Sequence, residues 1–355
     1  MRYVTKNEGN MRFLVLSHNY EKYKSGFYHQ DLVDALGKYA ECIIYGQGYR
    51  SYDRYDTIED VLAKKRISIN DLDLIVVTTS WEIQDPSIPE SDPHPAICLS
   101  KINNVPKVFF LNKEYKKINK KLEYARKNQF DLVLTVHPLY SIWSKNIGIP
   151  FMQLPFGISL ERFKDYGMPK KWDFGFAGSL HRSHTDARYL AKKQLFEERF
   201  IDKKASINKF YQPCSECFQE WLDSYNVCWM EWGAKDWLGK SMLPTGLSYA
   251  KFLNSTRAFL NTPSALGIIN TRYFELMASR SLIICPKSDV YDGVLMDGYN
   301  CVMVKPDFSD LRGRLQEVLD DHGLWQEITD NAAGCAKSHD YFSRVDAVIT
   351  RLKIL

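Results

Sequence analysis

Short apolar runs alternate with amphipathic stretches along this chain. Residues 11–17 (MRFLVLS), 41–45 (ECIIY), 72–78 (LDLIVVT), 108–111 (VFFL) and 130–136 (FDLVLTV) are apolar on both faces and too short for helices. They read as buried strands. Between them, residues 27–39 place Leu32, Val33 and Leu36 at helical spacing, and 113–127 does the same with Ile118, Leu122 and Ala125. Residues 58–65 and 96–102 also carry helical spacing. Strand and helix in alternation predict a parallel, doubly wound sheet. After an apolar run at 150–154, Pro155-Phe156-Gly157-Ile158-Ser159 interrupts the pattern. The alternation then restarts with strands at 172–177, 227–232, 258–261, 282–285 and 301–304. Helical spacing recurs at 192–201, 218–225, 310–320, 324–336 and 342–355. With 355 residues there is chain enough for two cores, and the break divides it into 1–157 and 158–355.

The stretch 258–286 concentrates the chemistry. An apolar run ends at Thr262-Pro263, and Asn270 and Thr271 are good N-cap types. Phe274, Met277 and Ala278 mark one helical face, and a second strand stops at Pro286. In a strand–helix–strand unit of this kind, ligands bind beyond the carboxyl ends of the strands. A helix N-terminus there offers free N–H groups and partial positive charge, which suit phosphate. Glu275, one turn in, leans back toward the same loop, where a carboxylate accepts hydrogen bonds from ribose hydroxyls. The alternative is a surface pair with Arg272, three residues away. Gly178 and Ser179 follow the strand at 172–177, and small residues there leave room for a pyrophosphate. Arg182, Arg188 and Lys240 are candidate cations for it; a glycine turn with surface cations is the alternative.

The run Asn270-x-Arg272-x-x-Glu275-x-Met277-Ala278, the later Asp297-Gly298-Tyr299-Asn300 turn and His339-x-Tyr341-x-x-Arg344 resemble the donor half of GT-B glycosyltransferases. The group-1, CgeB-like branch has the most similar pattern. Gly26, and the turn at 154–157 before Arg162-Phe163, also resemble GT-B features. The resemblance implies two Rossmann-like doubly wound domains facing a cleft. Domain 1–157 would serve the acceptor and 158–355 the nucleotide sugar, with the last helix, about 342–355, returning to the first domain. The implied reaction moves a sugar from a nucleotide-sugar donor to a hydroxyl acceptor in glycan or cell-surface polysaccharide synthesis. Gly178, Ser179, Arg182, Lys240, Gly267, Asn270, Thr271, Arg272 and Glu275 would hold the donor, with no metal ion and no further cofactor. Many retaining members carry a Glu eight positions before the helix Glu; Gly267 stands there instead. Acceptor activation would fall to His18, Glu114 or His137, each just past a predicted strand. A nucleotide-sugar epimerase on the same fold, or an inactive assembly subunit, remains open at this point.

Composition narrows the setting. A net charge of +4 argues against a dedicated nucleic-acid binder. The N-terminus is polar and no run reaches the roughly 18 apolar residues of a membrane helix. The cytosol is the expected compartment, and the 8 scattered cysteines read as reduced thiols. Cys214-x-x-Cys217 with Cys228 lacks a second paired half, so a zinc site is not expected. The basic stretch 113–127 reads as a solvated face that would also suit an anionic lipid surface, in keeping with a lipid-linked acceptor. The tryptophans at 221, 229, 232 and 237 read as core, with a sugar platform as the alternative.

Overall fold

The computed structural model describes residues 11–20, 27–78, 93–114, 117–138, 140–178, 187–188, 190–191, 225–231, 244–264, 267–291 and 293–354. Gly26, Ser179, Arg182, Lys240, Cys214, Cys217, Trp221, Trp232, Trp237 and the predicted helix at 192–201 lie outside the described residues, as does nearly all of the one at 218–225. The chain divides into two compact units, 1–157 with 341–355, and 158–340.

The first unit runs β1 (Arg12–Leu16), α1 (Phe27–Tyr39), β2 (Glu41–Tyr45), α2 (Ile58–Lys65), β3 (Leu74–Val77), β4 (Lys107–Leu111), α3 (Ile118–Asn128), β5 (Leu132–Thr135), α4 (Ser141–Ile147) and β6 (Phe151–Gln153). All six strands are parallel in the order β2-β1-β3-β4-β5-β6. The predicted central strands are present because their runs bury both faces: β3, β4 and β5 have no exposed residue. One face packs Leu14, Leu16, Ile75, Val77, Phe109 and Leu111 with side chains of α2 and α3.

The second unit runs β7 (Trp172–Gly178), β8 (Val227–Glu231), α5 (Gly246–Asn254), β9 (Thr256–Leu260), α6 (Thr271–Ala278), β10 (Leu282–Pro286), β11 (Val302–Val304), α7 (Leu311–Asp320) and α8 (His322–Ala336). Its five strands are parallel in the order β11-β10-β9-β7-β8. Phe174, Phe176, Leu260 and Ile284 form its core with Phe308, Leu311, Leu315 and Ile328. Trp229 is 1% exposed and stacks on Phe176 at 4.3 Å, so it is core rather than a sugar platform. Cys228 is buried and free in β8. The last helix, α9 (Tyr341–Ile354), belongs to the first unit. Its Val345, Val348 and Ile349 line, with Leu32 and Leu36 of α1, the sheet face formed by Leu74, Val76, Val108, Phe110 and Leu134.

Two expectations change. Residues 96–102 form turns, not a helix. Their backbone finds tertiary partners instead: Leu99 N donates to Asn128 Oδ1 at 2.9 Å, and Lys107 Nζ donates to the carbonyls of Leu99 (3.2 Å) and Ile102 (2.8 Å). Within the basic stretch, Lys121 leaves the solvated face. It is 1% exposed, its ammonium held by the backbone carbonyls of Asn112 and Lys113.

Candidate functional site

In both sheets the strand order reverses beside the first strand, at β1/β3 in one unit and β7/β9 in the other. The carboxyl ends at such a reversal open a crevice, because the crossover helices leave to opposite faces. Of the described candidates, His18 lies at the first of these places and Gly178, Gly267, Asn270, Thr271, Arg272 and Glu275 at the second, while Glu114 and His137 follow β4 and β5.

In the second unit the crevice is walled by Gly178, the last residue of β7, and by the loop from β9 to α6. Asn270 caps α6: its side-chain oxygen accepts from Arg272 N and from Asn261 Nδ2, both at 3.1 Å, and its Nδ2 donates to the Thr262 carbonyl at 2.8 Å. Arg188 Nε donates to Thr262 Oγ1 at 2.9 Å, bringing a second guanidinium to this loop. Ser264 N donates to the Ile268 carbonyl at 2.9 Å and accepts through its own carbonyl from Gly267 N at 3.1 Å. Gly267 sits at φ +69°, where a Cβ would also meet Val290 Cγ1 at 3.2 Å. That left-handed turn suits the glycine that stands where the resemblance has a Glu in many retaining members. Gly267→Ala should lower stability by about 1 kcal/mol. A denaturant titration checks this, and no loss would mean the loop tolerates another path.

Arg272 and Glu275 do not form the surface pair. Glu275 is 9% exposed, on a helix whose residues 273–278 are all buried. Tyr249 of α5, which sequence reading passed over, stands between them. Its hydroxyl accepts from Arg272 Nε at 2.8 Å and donates to Glu275 Oε2 at 3.2 Å. The guanidinium lies 5.8 Å over the Phe259 ring. A Cβ on Gly178 would stand 3.4 Å from Arg272 Nη1, so the glycine leaves the guanidinium room at the end of β7. Burial pushes the Glu275 carboxyl up from its ordinary value; Arg272, the Thr271 and Tyr249 hydroxyls and Arg162 pull the other way. The C-terminal motif supports this helix: His339 packs on Phe274 with ring centres 4.4 Å apart.

In the first unit, His18 follows β1 and is 1% exposed, and neither ring nitrogen has a hydrogen-bond partner. Burial lowers its pKa to about 4, so the ring is neutral at pH 7. Thr78, after β3, also has a buried hydroxyl without a partner. Two histidines that sequence reading missed stand nearby. His94 lies 6.5 Å from His18 between ring centres, with its pKa lowered to about 3 by burial and then by His18. His29 stacks on Tyr20 at 4.4 Å, and its Nε2 lies 2.8 Å from Asn112 Nδ2. Gly46 makes this packing feasible, since a Cβ there would come within 1.9 Å of the Ser17 carbonyl oxygen and 3.0 Å of His94 Cε1. Glu114 is turned into the structure: one oxygen accepts from Thr135 Oγ1 and from Val136 N at 3.1 Å, while the other is buried without a partner. His137 is 9% exposed and packs on Trp143 at 5.2 Å.

Residues 209–350 match a family model described as Glycosyl transferase-like. Among solved structures, HepE from Anabaena, in complex with UDP and glucose, superposes with a TM-score of 0.55 at 12% identity, covering 97% of this chain and 100% of that one. Sucrose-phosphate synthase from Thermosynechococcus elongatus gives 0.56 at 10% identity, with 97% and 99% covered. T4 phage BGT, in complex with UDP and Mn2+, gives 0.52 at 12% identity, with 95% and 98% covered. The fold is that of these GT-B structures, and within it residues 209–350 are similar to the glycosyl transferase-like family. None of the curated proteins matches the chain. The GT-B pattern agrees with the two parallel sheets; the CgeB-like branch is not distinguished by these comparisons. Among the described residues, no group of three or more His, Cys, Asp or Glu is placed to hold a metal ion. Among them too, no helix is long and apolar enough to cross a membrane.

Proposed function

We propose that this GT-B chain transfers a glycosyl group from a nucleotide-sugar donor to a hydroxyl acceptor, with the donor held by the second unit. The observation carrying the reading is the convergence of Gly178, the Asn270-capped start of α6, Arg272 and Glu275 at the β7/β9 reversal. The Glu275 carboxylate accepts hydrogen bonds from ribose hydroxyls. The N–H groups at the start of α6 and the Arg272 guanidinium meet the diphosphate. Arg182 and Lys240 extend this cation set, the small Ser179 leaves room for the diphosphate, and Arg188 reaches the same loop through Thr262.

The acceptor oxygen attacks the anomeric carbon and the bond from that carbon to the diphosphate oxygen breaks. The departing negative charge is met by Arg272 and the helix N-terminus, so no metal ion is required. The acceptor's proton leaves to a base of the first unit. Of its three candidates, His18 is the one whose neutral, unpartnered ring is free to accept a hydroxyl hydrogen. Glu114 spends one oxygen on β5, and His137 packs on Trp143. Exposed Lys120, Arg126 and Lys127 on α3, with Ile142 and Lys145 on α4, fit an anionic membrane surface and hence a lipid-linked acceptor in glycan synthesis.

The first test is thermal melting with UDP, GDP, ADP, CDP and dTDP, with and without a chelator. UDP leads the panel because HepE was solved with it. A nucleotide at 100 times its Kd adds about 2.7 kcal/mol to native stability. One of the five should raise the melting temperature, with the chelator present as without it. No shift with any of them would overturn the donor reading. Labelled donor converted without acceptor to an isomeric nucleotide sugar would replace transfer by epimerisation.

A further inference from the structure

We propose that Tyr249 is a positioning residue of the donor site: by standing between Arg272 and Glu275, its hydroxyl keeps each of them available to the nucleotide. This rests on the reading of the second unit as the donor site.

The argument begins with the spacing. Arg272 and Glu275 are three residues apart on α6, where a direct ion pair is the default. A direct fork-to-fork pair would occupy two guanidinium N–H groups and both carboxylate oxygens, leaving little of either for a ligand. The hydroxyl of Tyr249 is interposed instead, at 2.8 Å from Arg272 Nε and 3.2 Å from Glu275 Oε2. It uses the single Nε–H of the guanidinium and leaves the Nη end beside Gly178. A carboxylate has about four acceptor positions. Here the hydroxyls of Tyr249 and Thr271 take two, and the rest remain for ribose hydroxyls. The opposite charges still stabilise one another without neutralising each other's hydrogen-bonding capacity. Tyr249 is itself fixed: it lies on α5 between the N-terminal turn and β9, its ring edge-on to Phe163 at 6.2 Å. Burial raises its pKa, so the hydroxyl keeps the proton it donates.

The charged and titratable groups facing Glu275 are Arg272 on its own helix, Tyr249 of α5 and Arg162 of the segment before β7. The donated bond from Tyr249 favours the ionised carboxyl, so its loss lets Glu275 hold its proton to higher pH. Tyr249→Phe keeps the ring and removes only the hydroxyl.

The experiment measures UDP affinity, with the other four nucleoside diphosphates alongside, from pH 5 to 9 for the parent, Tyr249→Phe, Glu275→Gln and the double variant. For Tyr249→Phe the expected result is an affinity loss of about tenfold at pH 7.5, the order of one hydrogen bond to a charged group. The acidic limb of its binding profile should move to higher pH. In the Glu275→Gln background the same change should cost markedly less, because the two residues act as one unit. Parental affinity in Tyr249→Phe, or a loss uniform in pH and undiminished in the double variant, would overturn the positioning role. If Glu275→Gln binds like the parent, or no nucleotide binds the parent, the donor reading falls and takes this proposal with it. If Glu275→Gln loses binding while Tyr249→Phe does not, only the role of Tyr249 fails.

Discussion

Glu275→Gln is expected to lose nucleotide affinity on the order of 10- to 100-fold while melting at or above the parent's temperature at pH 7.5. The first half follows from hydrogen-bond strength. Bonds from ribose hydroxyls to a charged acceptor contribute about 1.5–3 kcal/mol each, and about 1.4 kcal/mol is tenfold in affinity. The second half follows from linkage. Burial lifts the folded-state pKa of Glu275 above its ordinary value, so the native state binds that proton more tightly than the unfolded chain. Stability from this group is therefore fully present below the unfolded value and is lost as pH rises through the folded one. Gln has the same shape and no proton to lose, so its melting advantage should be present at neutral pH and close as pH falls below about 4.5. Calorimetry across pH 4 to 8 and titration with UDP read the two halves separately. A variant that binds UDP normally, or that melts lower at every pH, would contradict the account.

The largest effect on stability is expected from Gly46→Ala. A methyl group at this position would sit 1.9 Å from a backbone oxygen of Ser17 and against the ring of His94, and the backbone there has φ +154°. Neither neighbour is the free end of a flexible side chain: the Ser17 amide is bonded to the Tyr45 carbonyl at 3.0 Å, and His94 is 2% exposed. The strand ends must separate, which costs about 3 kcal/mol or more. Denaturant unfolding checks this, and a variant as stable as the parent would mean that the β1–β2 ends part without cost. By contrast Gly37, on α1, has nothing within 4 Å of such a methyl, and Gly37→Ala serves as the control.

Much of this architecture was legible from the chain. The strands were readable because burial on both faces forces uninterrupted apolar runs such as Leu74–Val77, and a parallel order follows when helices separate them. Gly178, Asn270, Arg272 and Glu275 could be selected because each stands at a strand end or a helix start, where backbone geometry and side-chain type coincide. The turns at 96–102 were misread because helical spacing says nothing about Asn128 and Lys107, distant residues that satisfy that segment's backbone. Tyr249 was missed for a related reason. Its role depends on a hydroxyl meeting two side chains 23 and 26 residues away, and no local pattern marks such a meeting. His29 and His94 likewise join His18 only through the sheet order.

The placement of α9 bears on synthesis at the ribosome. The first unit is made of 1–157 and 341–355, with all of 158–340 between them in the chain. The sheet face of Leu74, Val76, Val108, Phe110 and Leu134 is covered in part by Val345, Val348 and Ile349, which are translated after all of 158–340. The early half of the nascent chain therefore carries a bare apolar surface while the intervening unit is made. Its cap arrives only after 158–340 has been made and Val345, Val348 and Ile349 have left the exit tunnel.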